Sequence, residues 1–242
     1  MEKRKALIIS FLILGLILGN YLFFYDFNSG RERVIISRVV DGDTVELDDG
    51  RKVRMLNIDT PERGEFISDK AIDFLKRFEN QTIDIEILGS DRYGRNLGRL
   101  FSFDYINLEL VELGLARKFL VQEDETSLFE KAEDKARENG LGLWEKSKHY
   151  GCLDVEINKK EEFIIIEVKC EVSIKGWSVK DESTRKYVFN DNYRVAKIYS
   201  AKGESYENEL YWGRGSVWND DKDSIFIRDD DEKLVYFDSY GY

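Results

Sequence analysis

The sequence contains very few of the side chains that build zinc sites and nucleophilic triads. Its 242 residues include one histidine, His149, and two cysteines, Cys152 and Cys170. A structural zinc site needs four ligands, mostly His and Cys, so this scarcity excludes one. A catalytic triad would have to use His149, which lies in the lysine-rich connector K-S-K-H-Y-G. Any enzymatic chemistry must therefore come from carboxylates and arginines, with or without a hard metal ion.

Net positive charge is also missing. The formal net charge is −11, and the acidic excess is spread over both halves of the chain. Affinity for the phosphates of nucleic acid normally comes from Lys and Arg. A nucleic-acid site in this chain therefore needs its own local cations. Apolar residues make up 42% of the chain, which is enough for a packed core and excludes wholesale disorder.

The long apolar run lies at the N-terminus. Lys3, Arg4 and Lys5 precede an apolar stretch at 6–25, which at about 20 residues is long enough to span a bilayer core. Because basic residues stay on the cytoplasmic side, this pattern predicts a membrane anchor in residues 1–30, with the rest of the chain outside the cell. The alternative is a cleaved signal peptide followed by secretion, since its charge pattern is the same.

Residues 31–150 have the pattern of a small α+β domain. Five short apolar strands with intervening helices are typical of a closed barrel of the OB type. Ser68 is a candidate N-cap of the first helix, and Gly140 ends the third. The predicted strands are 34–40, 45–47, 53–58, 82–88 and 97–103, and the predicted helices are 68–78, 106–115 and 127–139.

Residues 151–242 consist of short apolar or alternating runs without a helical period, which predicts an all-β sandwich. The acidic clusters 220–223 and 229–232 fall between runs, where we expect solvated loop tips. Cys152 and Cys170 are expected to be neighbours across a hairpin, close enough for a disulfide bond, with two buried thiols as the alternative. The predicted strands are 153–157, 163–168, 174–179, 187–189, 195–199, 209–212, 224–227 and 234–237.

Four carboxylates lie close together in the sequence of the first domain: Asp41, Asp43, Asp59 and Glu62. If the strands flanking the turn at 48–50 pair as a hairpin, Asp43 and Asp59 lie opposite each other at one end of it. Converging carboxylates repel unless a cation lies between them. A hard cation with oxygen ligands, Ca²⁺ first, relieves that repulsion.

Two arginines complete this candidate site. Arg54 lies in an apolar strand, where an unpaired arginine is costly, and Arg95 lies in the turn D-R-Y-G-R. Arginines beside a metal ion are the groups needed to hold a phosphodiester and to stabilise its transition state. Glu62 is the candidate general base. Each feature alone is typical of an ordinary turn or a salt-bridged strand, so the prediction depends on their joint occurrence in this order.

Several longer motifs point to a known family. V-V-D-G-D-T-V, V-R-M-L-N-I-D-T-P-E, D-R-Y-G-R-N-L-G-R-L and L-V-E-L-G-L-A-R occur in this order, and G-L-G-L-W-E follows. Over about residues 33–146 the chain resembles the staphylococcal nuclease (thermonuclease-like) family. The resemblance implies an OB barrel that hydrolyses phosphodiester bonds of DNA and RNA with Ca²⁺ and leaves 3′-phosphate ends.

The resemblance also implies a role for each residue of the candidate site. By position, the implied metal ligands are the Asp43 and Asp59 carboxylates and the Thr60 backbone carbonyl, and Asp41 is the implied acid next to them. The implied phosphate contacts are Arg54 and Arg95, and the implied water-positioning base is Glu62.

Two features depart from the family: the segment after Glu62 is short, and the tyrosines that can pack the nucleotide are absent after G-L-A-R.

The second half resembles a different family. I-K-G-W-S-V-K-D, L-Y-W-G-R-G-S-V-W-N-D and D-S-I-F-I-R-D are similar to the lamin-tail domain, an immunoglobulin-like sandwich used for attachment and binding. The resemblance covers about residues 153–242.

Together these patterns predict a calcium-dependent nuclease in residues 31–150, facing the cell exterior and acting on DNA or RNA. We expect the sandwich in residues 151–242 to attach it to an unknown surface or wall partner and to leave the chemistry to the barrel, so that residues 31–150 alone should fold and cut. The alternatives are a non-catalytic nucleic-acid-binding module and a surface-attachment protein.

Overall fold

The computed structural model describes residues 13–15, 30–183 and 185–241. Residues 13–15 are helical, and the rest of the predicted membrane segment up to residue 29 lies outside the described residues. In the part of the chain that is described, no helix is long and apolar enough to cross a bilayer. The membrane anchor therefore stays a prediction.

The first half folds into a closed five-stranded barrel. Its strands, with two short additional ones, are β1 (Glu32–Val39), β2 (Thr44–Leu47), β3 (Lys52–Met55), β4 (Ile58–Asp59), β5 (Thr82–Ser90), β6 (Asn96–Phe101) and β7 (Arg117–Lys118). The barrel closes in the order β1-β2-β3-β6-β5, and β4 pairs with β7 in a separate two-stranded sheet. Alternating residues of β1 are buried, including Val34 and Ile36. The predicted OB-type barrel is confirmed.

A break after β3 redirects the chain toward the candidate site. Asn57 has a φ of 68°, and its side-chain oxygen accepts a hydrogen bond from the Gln122 amide at 3.0 Å. After this turn the chain leaves the barrel, and Asp59 pairs with Arg117. The predicted continuous strand 53–58 is therefore wrong, because the left-handed turn at Asn57 divides it.

Three helices pack around the barrel and lie close to their predicted positions. They are α1 (Ser68–Lys76), α2 (Ile106–Glu112) and α3 (Thr126–Glu138). Each buries an apolar face, as Leu75 of α1 and Phe129 of α3 show. The predicted N-cap differs, because Ile67 occupies that position and the Ser68 hydroxyl donates to the Glu65 carbonyl oxygen at 2.8 Å.

The second half consists of two four-stranded sheets. Its strands are β8 (Leu153–Asn158), β9 (Phe163–Val168), β10 (Ser178–Lys180), β11 (Lys186–Val188), β12 (Val195–Tyr199), β13 (Glu209–Tyr211), β14 (Asp223–Arg228) and β15 (Leu234–Tyr240). One sheet has the order β11-β10-β14-β15 and the other β13-β12-β9-β8. Their shared core includes Ile164, Val179, Ile198 and Ile227. Between residues 151 and 241, the described residues contain no helix, as expected.

The acidic clusters of the second half are not simply loop tips. Asp223 is fully buried, and its carboxylate accepts the Asn219 and Ser224 amides at 3.0 and 2.8 Å. Asp229 is 5% exposed and accepts the Lys233 amide at 2.9 Å. The expectation of solvated tips is wrong for these two residues, because their carboxylates hold the turns closed.

Two further local predictions concern the cysteine pair and the strand that leads up to residue 179. Cys152 and Cys170 form a disulfide bond with Cα atoms 5.3 Å apart, which confirms that prediction. The predicted strand 174–179 begins only at Ser178, because the Trp177 amide closes a turn onto the Ile174 carbonyl at 3.0 Å.

The barrel and the sandwich share a continuous apolar core around Trp144. This side chain is 1% exposed, and its ring centroid lies 6.0 Å from that of Phe226 and 4.9 Å from that of Phe237. Leu234 of β15 belongs to the same apolar cluster, and its amide donates to the Glu145 carbonyl at 2.8 Å. The connector between the two halves is thus fixed to β15.

Candidate active site

A tight turn between β1 and β2 places Asp43 in the interior. The Asp43 amide donates to Asp41 Oδ1 at 3.1 Å. Gly42 leaves no room for a side chain, since a Cβ there would lie 2.5 Å from Thr60 Oγ1. The Thr60 amide and hydroxyl donate to Asp43 Oδ2 at 3.3 and 3.1 Å. This close contact brings the turn against the end of β4, where Asp59 lies.

Arg54 joins the two carboxylates that the sequence assigns to a metal. Its Nη2 atom lies 3.0 Å from Asp43 Oδ2 and 3.2 Å from Asp59 Oδ1. Its Nη1 atom donates to the carbonyls of Met55 and Ile58 at 2.7 and 2.9 Å, which fixes the guanidinium inside the turn after β3.

The route by which Asp43 and Asp59 meet differs from the predicted one. In the β2–β3 hairpin Thr44 pairs with Arg54, so the ladder places Asp43 opposite Met55, whose amide donates to the Asp43 carbonyl at 2.8 Å. Asp59 lies beyond the ladder. The turn after β3, and not the hairpin register, returns it to Arg54.

The electrostatic environment of Asp43 is unfavourable for its charge. Burial raises the pKa of Asp43 to about 7, even though the Arg54 guanidinium opposes the shift and Asp41 and Asp59 add to it. A carboxylate crowded by two others is stabilised by additional positive charge. The site is therefore better suited to a cation than to a further anion.

Arg95 approaches the same site from the turn between β5 and β6. Asp91 organises that turn, since its Oδ1 atom accepts the Tyr93 and Arg95 amides at 2.8 and 3.0 Å. The Arg95 Nε atom lies 2.7 Å from Asp91 Oδ2. Its Nη1 atom reaches to 3.5 Å from the Thr44 hydroxyl, which in turn donates to Asp43 at 3.0 Å.

Glu62 lies at the mouth of the site and is exposed. It lines a cavity of about 270 Å³ together with Asp59 and Thr60. The Glu62 amide donates to Glu65 Oε2 at 3.0 Å, so Glu65 fixes the start of this short segment. Hydrogen bonds and ion pairs thus connect Asp41, Asp43, Arg54, Asp59, Thr60 and Arg95, whereas the cavity, here called the cleft, is lined by Asp59, Thr60 and Glu62.

Sequence reasoning missed three residues beside this cleft. Arg117 of β7 donates to Asp59 Oδ2 from Nη2 at 2.9 Å, and Lys180 and Glu182 reach the cleft from the second half. Arg117 ends the motif L-V-E-L-G-L-A-R, which was a usable signal. Lys180 and Glu182 had no such signal, because their partners lie far away in the sequence.

The oxygen atoms of the site fit a hard cation. Throughout the described residues, no three His, Cys, Asp or Glu side chains gather as a metal site. The structure does bring together Asp43 and Asp59, which share the Arg54 guanidinium as their cation. Carboxylate and backbone carbonyl oxygens are the ligands that Ca²⁺ prefers. The composition of this site therefore fits Ca²⁺.

Comparison with known proteins finds a matching family model and several relatives. A family model described as staphylococcal nuclease homologue matches residues 52–146. A thermonuclease of Staphylococcus intermedius is 34% identical over 130 residues, which cover 48% of this chain and 77% of that protein. An uncharacterized endonuclease of Escherichia coli O157:H7 is 30% identical over 114 residues, covering 45% of this chain and 74% of that protein.

A third relative is similar over a longer part of this chain. Endonuclease YhcR of Bacillus subtilis (strain 168) is 28% identical over 158 residues, which cover 55% of this chain and 13% of that protein. The matched family model lies within the barrel half, where the candidate site is found. From these matches, the chain belongs to the staphylococcal nuclease family.

Proposed function

We propose that this protein is a calcium-dependent nuclease that hydrolyses phosphodiester bonds in DNA, RNA or both. The observation that carries the proposal is the shared contact of Asp43 and Asp59 with Arg54, with Arg95 beside them. Membership of a family that includes a thermonuclease and endonucleases supports the same chemistry.

The proposed metal site uses the Asp43 and Asp59 carboxylates and the Thr60 backbone carbonyl. Asp41 supports it by accepting the Asp43 amide, which fixes the backbone of the turn. A bound Ca²⁺ supplies positive charge that favours the phosphate group of the substrate and its transition state.

The protein side chains supply the remaining chemistry. Arg54 and Arg95 bind the phosphate oxygens and stabilise the negative charge that grows as the water oxygen attacks phosphorus. Glu62, exposed at the mouth of the cleft, accepts the proton of that water, while the bond from phosphorus to the leaving oxygen breaks and the leaving oxygen takes up a proton from solvent.

Two arginines near the site supply local positive charge in an acidic chain, and they lie beside an exposed aromatic ring. Tyr93 is 69% exposed, and its ring centroid lies 4.8 Å from the Arg92 guanidinium carbon and 5.7 Å from that of Arg95. Exposed aromatic rings beside arginines stack on nucleic-acid bases with little sequence preference. This surface suits a nuclease without strong base specificity.

A cleavage assay on purified residues 31–242 tests the proposal. Duplex DNA, single-stranded DNA and RNA are each incubated with Ca²⁺ or with EGTA, and 3′-phosphate ends are mapped on the products. We expect cleavage with Ca²⁺ and none with EGTA. Full activity in EGTA would refute calcium dependence. Binding without cleavage under every condition would favour the non-catalytic binding module instead.

We also propose that residues 31–242 lie outside the cytoplasm, held by the N-terminal segment. The basic cluster Lys3–Lys5 before an apolar run supports this orientation. The Cys152–Cys170 disulfide suits an oxidising compartment. Protease added to intact cells should then digest the chain, and full protection would reverse the orientation. The lamin-tail resemblance and a surface or wall partner stay predictions.

A further inference from the structure

The second half of the chain reaches the candidate active site through one short segment. Lys180 ends β10, and Glu182 follows two residues later in the adjoining turn. Both side chains line the cavity that also contains Asp59 and Glu62. We call residues 180–182 the clasp segment.

Lys180 of the clasp segment acts on the loop that carries Glu62. Its Nζ atom lies 2.7 and 2.8 Å from the two carboxylate oxygens of Glu65. Glu65 Oε2 also accepts the Glu62 amide at 3.0 Å, and the Glu65 amide donates to the Glu62 carbonyl at 2.9 Å. Lys180 thereby fixes the carboxylate that holds the backbone of Glu62.

Glu182 of the clasp segment acts on Asp59 through Arg117. The Arg117 Nη1 atom lies 3.1 Å from Glu182 Oε1, while Nη2 lies 2.9 Å from Asp59 Oδ2. The Glu182 backbone carbonyl accepts a further hydrogen bond from Arg117 at 3.0 Å. The buried Ser224 hydroxyl donates to Glu182 Oε1 at 2.9 Å and orients that carboxylate.

The strand that carries the clasp segment is held against the barrel by several contacts. The β10 strand that carries it pairs with β14, whose Phe226 packs in the shared core against Trp144. Arg228 of β14 donates to the Leu143 carbonyl of the barrel half at 2.8 Å. These contacts hold the second half against the barrel. Lys180 and Glu182 therefore keep fixed positions relative to Glu65 and Arg117 of the barrel half.

We propose that the second half is a working part of the nuclease site, in which Lys180 positions the Glu62 loop and Glu182 sets the charge that Arg117 presents to Asp59. This inference rests on the proposed function. It assigns positioning roles to both residues, and it replaces the expectation that the sandwich leaves the chemistry to the barrel.

The two contacts should affect different steps. Without the Lys180 ammonium, Glu65 is less constrained and the Glu62 backbone loosens, which lowers kcat, because small misplacement of a reacting group slows catalysis. Without the Glu182 carboxylate, less of the Arg117 charge is neutralised, so Asp59 is held more strongly away from a cation. That change weakens Ca²⁺ binding.

The test uses residues 31–242 with Lys180→Met, Glu182→Gln and the control Lys186→Met. Lys186 lines the same cavity, but its ion pair is with Glu232 of its own half, 2.6 Å away. Calorimetric titration with CaCl₂ gives the Ca²⁺ dissociation constant, and cleavage at saturating Ca²⁺ gives kcat. Melting temperatures are recorded for every variant.

We expect Lys180→Met to lower kcat about 10-fold without changing the Ca²⁺ dissociation constant, since residues that orient site groups typically contribute 10–100-fold. Lys180→Arg, which retains the positive charge, should restore most of the lost rate. Glu182→Gln should raise the Ca²⁺ dissociation constant about 10-fold and leave kcat at saturation unchanged. Lys186→Met should match the wild type in both measurements.

Several results would overturn the inference. One is a Lys180→Met variant no slower than Lys186→Met, and another is an unchanged Ca²⁺ dissociation constant in Glu182→Gln. Parallel loss of kcat, Ca²⁺ binding and melting temperature in both variants would show a purely structural role. A wild-type protein that binds Ca²⁺ but never cleaves would refute the proposed nuclease function. In that case the Ca²⁺ dissociation constant of Glu182→Gln would still test whether Glu182 affects the metal site.

Discussion

The Arg54 guanidinium lies 3.0 Å from the Asp43 carboxylate, and the two side chains are only 14% and 10% exposed. Removing one partner of a buried ion pair costs about 3–5 kcal/mol, because the other charge is left uncompensated. Substitution of Arg54 therefore endangers the fold as well as any activity. Asp43→Asn keeps the side-chain volume and leaves Arg54 paired with Asp59 at 3.2 Å, and Arg95 is less buried, so substitutions of these two residues separate the two effects better.

The first prediction concerns these two residues. Asp43→Asn and Arg95→Ala should each lower kcat about 10²–10³-fold, since each removes one electrostatic contribution to transition-state stabilisation. Single-turnover cleavage of a labelled oligonucleotide at saturating Ca²⁺ measures the loss.

Asp49→Asn is the matched control for Asp43→Asn. Asp49 lies in the exposed β2–β3 turn, where it pairs with Arg51 at 2.6 Å. We expect this variant to keep the wild-type rate. If Asp43→Asn and Asp49→Asn cut equally fast, Asp43 is not part of the active site.

The second prediction concerns metal binding without catalysis. Because Asp43 and Asp59 crowd one arginine, Ca²⁺ should bind the folded chain and stabilise it by mass action, by about 2.7 kcal/mol at a hundredfold excess over its dissociation constant. Differential scanning calorimetry should show a higher melting temperature in CaCl₂ than in EGTA. The shift should vanish in Asp59→Ala, and its persistence there would locate the ion elsewhere.

The third prediction concerns the shared core. Trp144→Ala should destabilise the protein by about 3–5 kcal/mol, because the fully buried ring belongs to the core cluster of the barrel and lies against Phe226 and Phe237 of the second half. The wild-type chain should unfold in one cooperative transition. Two separate calorimetric transitions would show that the halves are independent after all.

The same interface changes the expectation for a truncated protein. Residues 31–150 by themselves lack Phe226 and Leu234, which belong to the core cluster of the barrel. Trp144 would then lie against solvent. We therefore expect residues 31–150 to be less stable than residues 31–242, contrary to the independence predicted from the sequence. Urea unfolding of both proteins, followed by circular dichroism, measures the difference.

The fourth prediction concerns pH. Burial raises the pKa of Glu133, although the Lys118 amide, which donates to Glu133 Oε1 at 2.9 Å, opposes the shift. An acid whose pKa is raised by folding binds more protons in the folded state, so its contribution to stability falls as the pH rises through the shifted pKa. Below the ordinary pKa of 4.5 the folded and unfolded states are both protonated and the penalty disappears.

Glu133→Gln isolates this effect, because the amide oxygen can still accept the Lys118 hydrogen bond. We expect the variant to melt at a higher temperature than the wild type at pH 8 and at nearly the same temperature at pH 4. Melting curves at a series of pH values provide the measurement. An equal difference at both pH values would show that the charge of Glu133 has no part in it.

Much of the fold follows from local patterns. The alternation of apolar residues predicts the barrel strands, and the helical period predicts α1 to α3, because one face of each element must be buried. The residues of the candidate site are also close in sequence, from Asp41 to Arg95, and lie at turns. Such short-range signals can be read from the sequence alone. The positions of Cys152 and Cys170 on either side of a polar turn predict their pairing on the same local basis.

The structural features that the sequence does not predict depend on contacts between distant residues. The turn at Asn57 is held by the Gln122 amide, 65 residues further along the chain, and no strand pattern shows that contact. The same is true of Lys180 and Glu65, which are 115 residues apart. By itself, the sequence determined which carboxylates and arginines gather at one end of a barrel, because turn chemistry and strand alternation act locally. Only the tertiary structure decided that the second half completes the cleft, since that docking depends on the shape of the core around Trp144, which no periodic pattern encodes.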